Sequence, residues 1–169
     1  MREIPTVSLL LLLCALGGAA QAAETAIPDA LIAAGEKPAL TLHAEGAQVY
    51  ECKTGQDGKL AWAFREPIAT LFEDGKTVGR HYAGPSWEHQ DGSMIGGRVV
   101  GTAVGASDND IHWLKLAVVS HRGGKGVLSE ITAVQRINTS GGKLEGACET
   151  AGQLRSIAYA ADYVFLRKE

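Results

Sequence analysis

Apolar and polar positions alternate along most of the chain from Leu40 onward. Gln48-Val49-Tyr50-Glu51-Cys52 has a period of two, and Leu60, Trp62 and Phe64 share one face of the next such run. The same pattern predicts strands over Thr77–Tyr82, Met94–Val104, Ile111–Ser120, Val127–Asn138 and Tyr159–Leu166. On these strands His112, Leu114, Leu116 and Val118 fall on one face, as do Tyr159, Ala161, Tyr163 and Phe165. Helical periodicity is confined to two short pieces, Pro28–Ala34 before Gly35 and Pro67–Phe72, each opened by a proline.

Between the runs stand Asp57-Gly58, Asp74-Gly75, Asp91-Gly92, Gly123-Gly124 and Gly141-Gly142. Asp-Gly pairs between apolar runs favour tight hairpins, because glycine takes positive φ without steric cost. The 21 glycines among 169 residues, about 12% against a usual ~7%, therefore mark turns. Short strands at this spacing, with no long helix between them, predict an all-β fold: an antiparallel β-sandwich or barrel with short helical turns, forming a single domain over residues 23–169.

The first residues do not fit that pattern. Arg2 precedes an apolar run from Val7 to Leu16 and then Ala20-Gln21-Ala22, the charged start, apolar middle and small-residue exit of a secretory signal peptide. Residues 1–22 are expected to be cleaved after Ala22, and the protein to be secreted or periplasmic. A membrane anchor would need about 20 apolar residues in succession, and no later stretch approaches a transmembrane segment. Removal of Cys14 leaves Cys52 and Cys148, an even pair in an oxidising compartment; a disulfide between them is expected, with two buried free thiols as the alternative.

A formal net charge of −3 leaves no basic footprint, so nucleic acid is not an expected partner. The few charged and aromatic groups crowd instead between His81 and Ser93. Within thirteen residues stand His81, Tyr82, Ser86, Trp87, Glu88, His89, Asp91 and Ser93, with Gly84-Pro85 and Asp91-Gly92 as turn signals. The expectation is a shaped loop or a short hairpin held by a rigid sheet, with His81, Tyr82, Trp87, Glu88, Asp91 and Ser93 as binding residues. An exposed Trp87 would stack on a planar ligand or a sugar ring. The competing reading plugs the barrel end with Trp87 and spends Asp91 and Ser93 on turn amides.

Two other chemistries use the same segment. Ester hydrolysis would take Ser86 or Ser93 as nucleophile, His81 or His89 as base and Glu88 or Asp91 as orienter, although no G-x-S-x-G elbow is present. Glycoside hydrolysis would use Glu88 and Asp91 as the carboxylate pair. A metal would be held by His81 and His89 converging across a hairpin, without the i, i+4 spacing of a helical site. Ser107-Asp108-Asn109-Asp110 offers oxygen ligands but lacks the glycine and distal glutamate of a calcium loop, and reads as a surface turn. Arg136 either faces solvent, the preferred reading, or turns inward to hold a carboxylate such as Asp162.

Four segments together carry a family resemblance. They are Gly46–Cys52 with Trp62; Gly79–Glu88, containing His81-Tyr82-Ala83-Gly84-Pro85-Ser86-Trp87-Glu88, running into Asp91-Gly92-Ser93; Ile111-His112-Trp113-Leu114; and Gln135–Gly142 leading to Cys148 and Tyr159–Phe165. With these the chain resembles a family of secreted bacterial and fungal proteins defined only as a domain of unknown function. That family tends to have proline where this chain has His112. Some fungal members carry a malate dehydrogenase label, but this chain has no G-x-G-x-x-G after a strand and no βαβ alternation, and no cofactor is indicated. The leading expectation is a non-catalytic envelope or extracellular binding module for a small-molecule or glycan ligand; a hydrolase and a metal-binding protein are the alternatives.

Overall fold

The computed structural model describes residues 26–169; the expected signal peptide lies outside them. Eight strands run up and down: β1 (Glu36–Thr54), β2 (Leu60–Glu73), β3 (Lys76–Tyr82), β4 (Ser86–His89), β5 (Met94–Ala103), β6 (Trp113–Arg122), β7 (Ala133–Gly141) and β8 (Leu154–Lys168). Each pairs antiparallel with the next. β8 returns to β1 in a long ladder from Glu36–Lys168 to Glu51–Leu154, so the single sheet closes into a barrel and has no free edge.

The alternation seen in the sequence is the in-and-out pattern of this barrel. Tyr159, Ala161, Tyr163 and Phe165 are all buried on β8 and join Leu42, Leu71, Trp87, Ile95, Leu116 and Val134 in the lumen. The two-residue connection between β2 and β3 shows why Asp-Gly was informative. Asp74 and Gly75 have φ of 48° and 74°, the double positive φ that a tight, right-twisted hairpin requires.

Two local expectations are corrected. Pro67–Phe72 is not a helical turn but the middle of β2, because Ala69 and Leu71 are buried while Ile68 is exposed, a period of two. Pro67 is tolerated there since β2 pairs with β3 only from Ala69 onward. Of the two forms expected for the His81–Ser93 segment, it takes the hairpin rather than the loop. It contains the ends of β3, the four-residue β4 and two turns. β4 escapes the alternation rule because Ser86, Trp87 and His89 are all buried. Pro28–Ala34 shortens to a 3₁₀ turn at Asp29–Leu31.

The barrel's two ends differ. At one end the β6–β7 connection contributes Leu128 and Ile131 to the core and stoppers the lumen. On the outside, Leu31 packs with Trp113 and Ile137, and Gln135 Nε2 donates to the Leu31 carbonyl at 2.8 Å. At the other end the β7–β8 connection is stitched to β1 and β2 by the Cys52–Cys148 disulfide, by Trp62 N donating to Gly146 O at 3.0 Å, and by Tyr50 Oη donating to Gly142 O at 2.7 Å.

Candidate functional site

The open end of the barrel holds a hollow of about 230 Å³. Its floor is aromatic. His81 and Trp87 are cross-strand neighbours on β3 and β4, and their rings stack at 4.7 Å and 13°. Tyr163 meets His81 at 4.9 Å and Trp87 edge-on at 5.5 Å. Gly97 on β5 makes room for the indole: a Cβ there would stand 3.0 Å from Trp87 Cζ3. The walls are Leu114, Leu116, Val99, Phe64 and Pro67, with Gly84-Pro85 at the rim. Four of these lining residues, Phe64, Val99, Leu114 and Arg136, also border a more open basin of about 340 Å³ that extends toward Tyr50, His112 and Glu145.

Burial sets the chemistry of the floor. The Ser86 carbonyl can only accept, so the 2.9 Å bond to His81 Nδ1 places the proton there and leaves Nε2 as an acceptor. Desolvation pushes the His81 pKa from 6.5 down to about 3, with the Arg136 charge acting in the same direction and the Ser86 bond against it. The imidazole is therefore neutral in any physiological medium. Burial likewise raises the Tyr163 and Tyr159 hydroxyls. Trp87 Nε1 is buried without a hydrogen-bond partner among the described residues.

Arg136 is the polar exception on the inward face of β7, in register with Leu114 and Tyr163. Its Nε and Nη2 donate to the His112 carbonyl at 3.1 and 2.7 Å. The preferred reading of Arg136 as solvent-facing is thus corrected. The Asp162 partner is corrected too, since that carboxylate pairs with His43 Nδ1 at 2.8 Å and Asn138 Nδ2 at 2.9 Å. Among the described residues no carboxylate forms an ion pair with Arg136.

The six residues expected to bind together fall in three places. His81 and Trp87 line the hollow, but Trp87 is fully buried and is not the exposed stacking platform expected of it. Tyr82 and Glu88 sit on the outer surface: Arg80 Nε donates to Glu88 Oε2 at 2.9 Å, and its Cζ lies 5.1 Å from the centre of the Tyr82 ring. Asp91 and Ser93 hold the stoppered end. Asp91 accepts from Ser93 Oγ at 2.6 Å and from Val127 N at 2.8 Å, while Leu128 N donates to Ser93 Oγ at 3.2 Å. Desolvation opposes the Asp91 charge, but these bonds outweigh it and hold the carboxyl below its ordinary range.

The hydrolase constellations do not assemble. The Asp91 carboxylate contacts both Ser93 Oγ and, at 3.2 Å, His89 Nδ1, so it separates the hydroxyl from the imidazole that would serve as base. Ser93 is fully buried. Glu88 and Asp91 point to different parts of the surface. His81 is bonded to the Ser86 carbonyl and His89 contacts the Asp91 carboxylate, and among the described residues no group of three metal-ligating side chains converges. Asp110 is taken up by Ser107 Oγ at 2.8 Å and Gly141 N at 2.6 Å, clamping its own turn.

Sequence reasoning missed Phe64, Arg65, Leu114, Arg136 and Tyr163 as members of one site. The available signal was the inward register of Val134 and Arg136, which puts a guanidinium where the pattern calls for an apolar side chain.

No curated protein and no solved structure shows a significant match to the chain. A model of a protein family of unknown function, DUF3455, matches residues 33–167 and spans all eight strands of the barrel up to Arg167. The chain belongs to this family.

Proposed function

We propose that the protein is a non-catalytic binding module of the envelope or extracellular space, and that its site is the hollow at the open end of the barrel rather than the whole His81–Ser93 segment. The observation that carries this reading is the hollow itself. It has an apolar wall over an aromatic floor whose indole N–H has no hydrogen-bond partner among the described residues, at the one end of the lumen that the β6–β7 connection does not stopper. Its volume exceeds the roughly 150 Å³ that accommodates a benzene molecule in an apolar protein cavity, so it suits a single-ring compound. A glycan is less well served, because the indole is buried and offers no open face.

Binding without catalysis is supported by the chemistry of the lining. Among the described residues no Ser, Thr, Cys, Asp or Glu lines the deeper hollow, and its one imidazole is held neutral by burial. The location outside the cytoplasm rests on the residue 1–22 pattern and on the Cys52–Cys148 disulfide.

The test is ligand-observed NMR on the full chain with phenol, indole, benzoate, benzamide and methyl β-glucoside. Line broadening by ring compounds, abolished by the hollow-filling Leu114→Trp variant, is expected. If none of the five probes responds, or if Leu114→Trp responds like the parent while remaining folded, the hollow is not a binding site.

A further inference from the structure

Resting on that reading, we infer that the ligand is a single-ring carboxylic acid bearing a ring hydroxyl, its carboxylate held by Arg136 and its hydroxyl donated to His81. The charge balance of the hollow selects the acid. Two guanidinium groups, Arg65 and Arg136, line it, and no carboxylate does among the described residues. Arg65 is compensated by Glu66, whose Oε1 lies 3.2 Å from Arg65 Nε. The nearest acid of the adjoining basin, Glu145, sits 3.6 Å from Lys143 Nζ and is directed to solvent.

Arg136 has no such relief. A guanidinium carries five N–H donors in a planar fork. Two of its nitrogens, Nε and Nη2, are turned to the His112 carbonyl, which fixes the plane of the fork, and the Tyr163 hydroxyl is the other polar group beside it. Among the described residues no carboxylate forms an ion pair with this guanidinium, which leaves it the natural partner of a ligand carboxylate. Arg136 borders both the hollow and the more open basin, so its charge stands where the two meet.

The His81 ring selects the hydroxyl. His81 is committed to donating through Nδ1, so its Nε2 accepts and rejects a second acceptor. An acid whose only polar group is the carboxylate would satisfy Arg136 and leave Nε2 bare. A ring hydroxyl supplies the donor, and the ring between the two polar ends meets Phe64, Val99 and Leu114. The same logic disfavours sugars and dianions, which would bring more polar groups than the wall can pair.

Isothermal titration of the full chain at pH 7 tests this with the three hydroxybenzoate isomers, benzoate and the three hydroxybenzamides. The best hydroxybenzoate is expected to bind on the order of 10–100-fold more tightly than its amide, the range that a charge-assisted hydrogen bond supplies. Arg136→Gln should bring that acid down to the level of the amide while the affinity of the amide is unchanged. Equal binding of acid and amide by the parent chain would overturn the acid and leave the hollow as a binding site. Benzoate binding as tightly as every hydroxybenzoate would overturn the role of His81. Failure of all seven compounds would overturn the site together with its ligand. Loss of acid and amide binding alike in Arg136→Gln would show that the arginine shapes the hollow instead of reading charge.

Discussion

Lowering the pH should destabilise this protein through a single buried ring well before its carboxylates protonate. His81 is almost wholly buried, stacked on Trp87 and in contact with Tyr163, and its pKa falls from 6.5 to about 3 because the charged form loses its hydration. The unfolded chain keeps the ordinary value. Between these two values the unfolded state binds a proton that the folded state refuses, so stability is full above about pH 6.5 and declines as the pH falls. Each pH unit inside the window costs up to about 1.4 kcal/mol. From pH 7.5 to 4.5 the loss is about 2.5–3 kcal/mol, or roughly 5–10 °C in Tm for a chain of this size. The depressed Asp91 carboxyl acts with the same sign, but its contribution is lost only below its ordinary value of 3.8, outside the interval. Urea unfolding at half-unit pH steps measures the slope. His81→Phe keeps a ring in the stack and removes the titration. Its stability at pH 7.5 will differ from the parent, yet its slope between 7.5 and 4.5 should be nearly flat. A parent chain with no loss of stability over this interval would refute the argument, as would a phenylalanine variant with the parental slope.

Three further outcomes separate the parts of the barrel. Replacing both Cys52 and Cys148 by alanine opens a loop of 96 residues and should cost about 4–5 kcal/mol in denaturant unfolding, on the chain-entropy model. Asp91→Ala removes the acceptor of Val127 N and of the Ser93 hydroxyl; a loss of about 2–3 kcal/mol is expected, with hydrogen exchange at Val127 and Leu128 accelerating most. Glu88→Gln breaks only the exposed pair with Arg80, so urea unfolding should register less than about 1 kcal/mol and titration of the best hydroxybenzoate should be unchanged.

The fold was largely legible because a barrel of this kind repeats one simple rule. Tyr159, Ala161, Tyr163 and Phe165 could be assigned to one face from alternation alone, and all four are in the lumen. Asp74-Gly75 marked a hairpin because few residue pairs accept two positive φ values in succession. The failures came where alternation broke down or was masked. β4 is too short and too buried on both faces to alternate, and its turn-rich flanks left loop and short hairpin both open. Pro67 imitated a helix start, since the gap in pairing that tolerates it is a property of the neighbouring strand. Choosing barrel over sandwich depended on the β1–β8 ladder, which joins the two ends of the described chain and leaves no local trace.

The site was harder to read because chemical crowding along a sequence is not crowding in space. On a strand, neighbours one residue apart face opposite sides of the sheet, so a dense polar segment is divided as soon as it folds. His81 went inward while Arg80 and Tyr82 went outward, and Trp87 went inward while Glu88 went outward. Asp91 and Ser93, beyond the end of β4, became the clamp of the stoppered end. What replaced the vanished partners came from strands remote in sequence: Arg136 from β7, Tyr163 from β8, Leu114 from β6 and Phe64 from β2. No window on the sequence contains these residues together. Arg136 is nevertheless discoverable in principle. Once Val134 is assigned to the lumen, the residue two positions on must share its side of the sheet, and a charge there calls for a counter-charge. Among the described residues it meets a carbonyl, from His112, and no carboxylate. On the inward side of a closed barrel, a guanidinium that meets no acid among the described residues is the group best placed to receive a ligand anion.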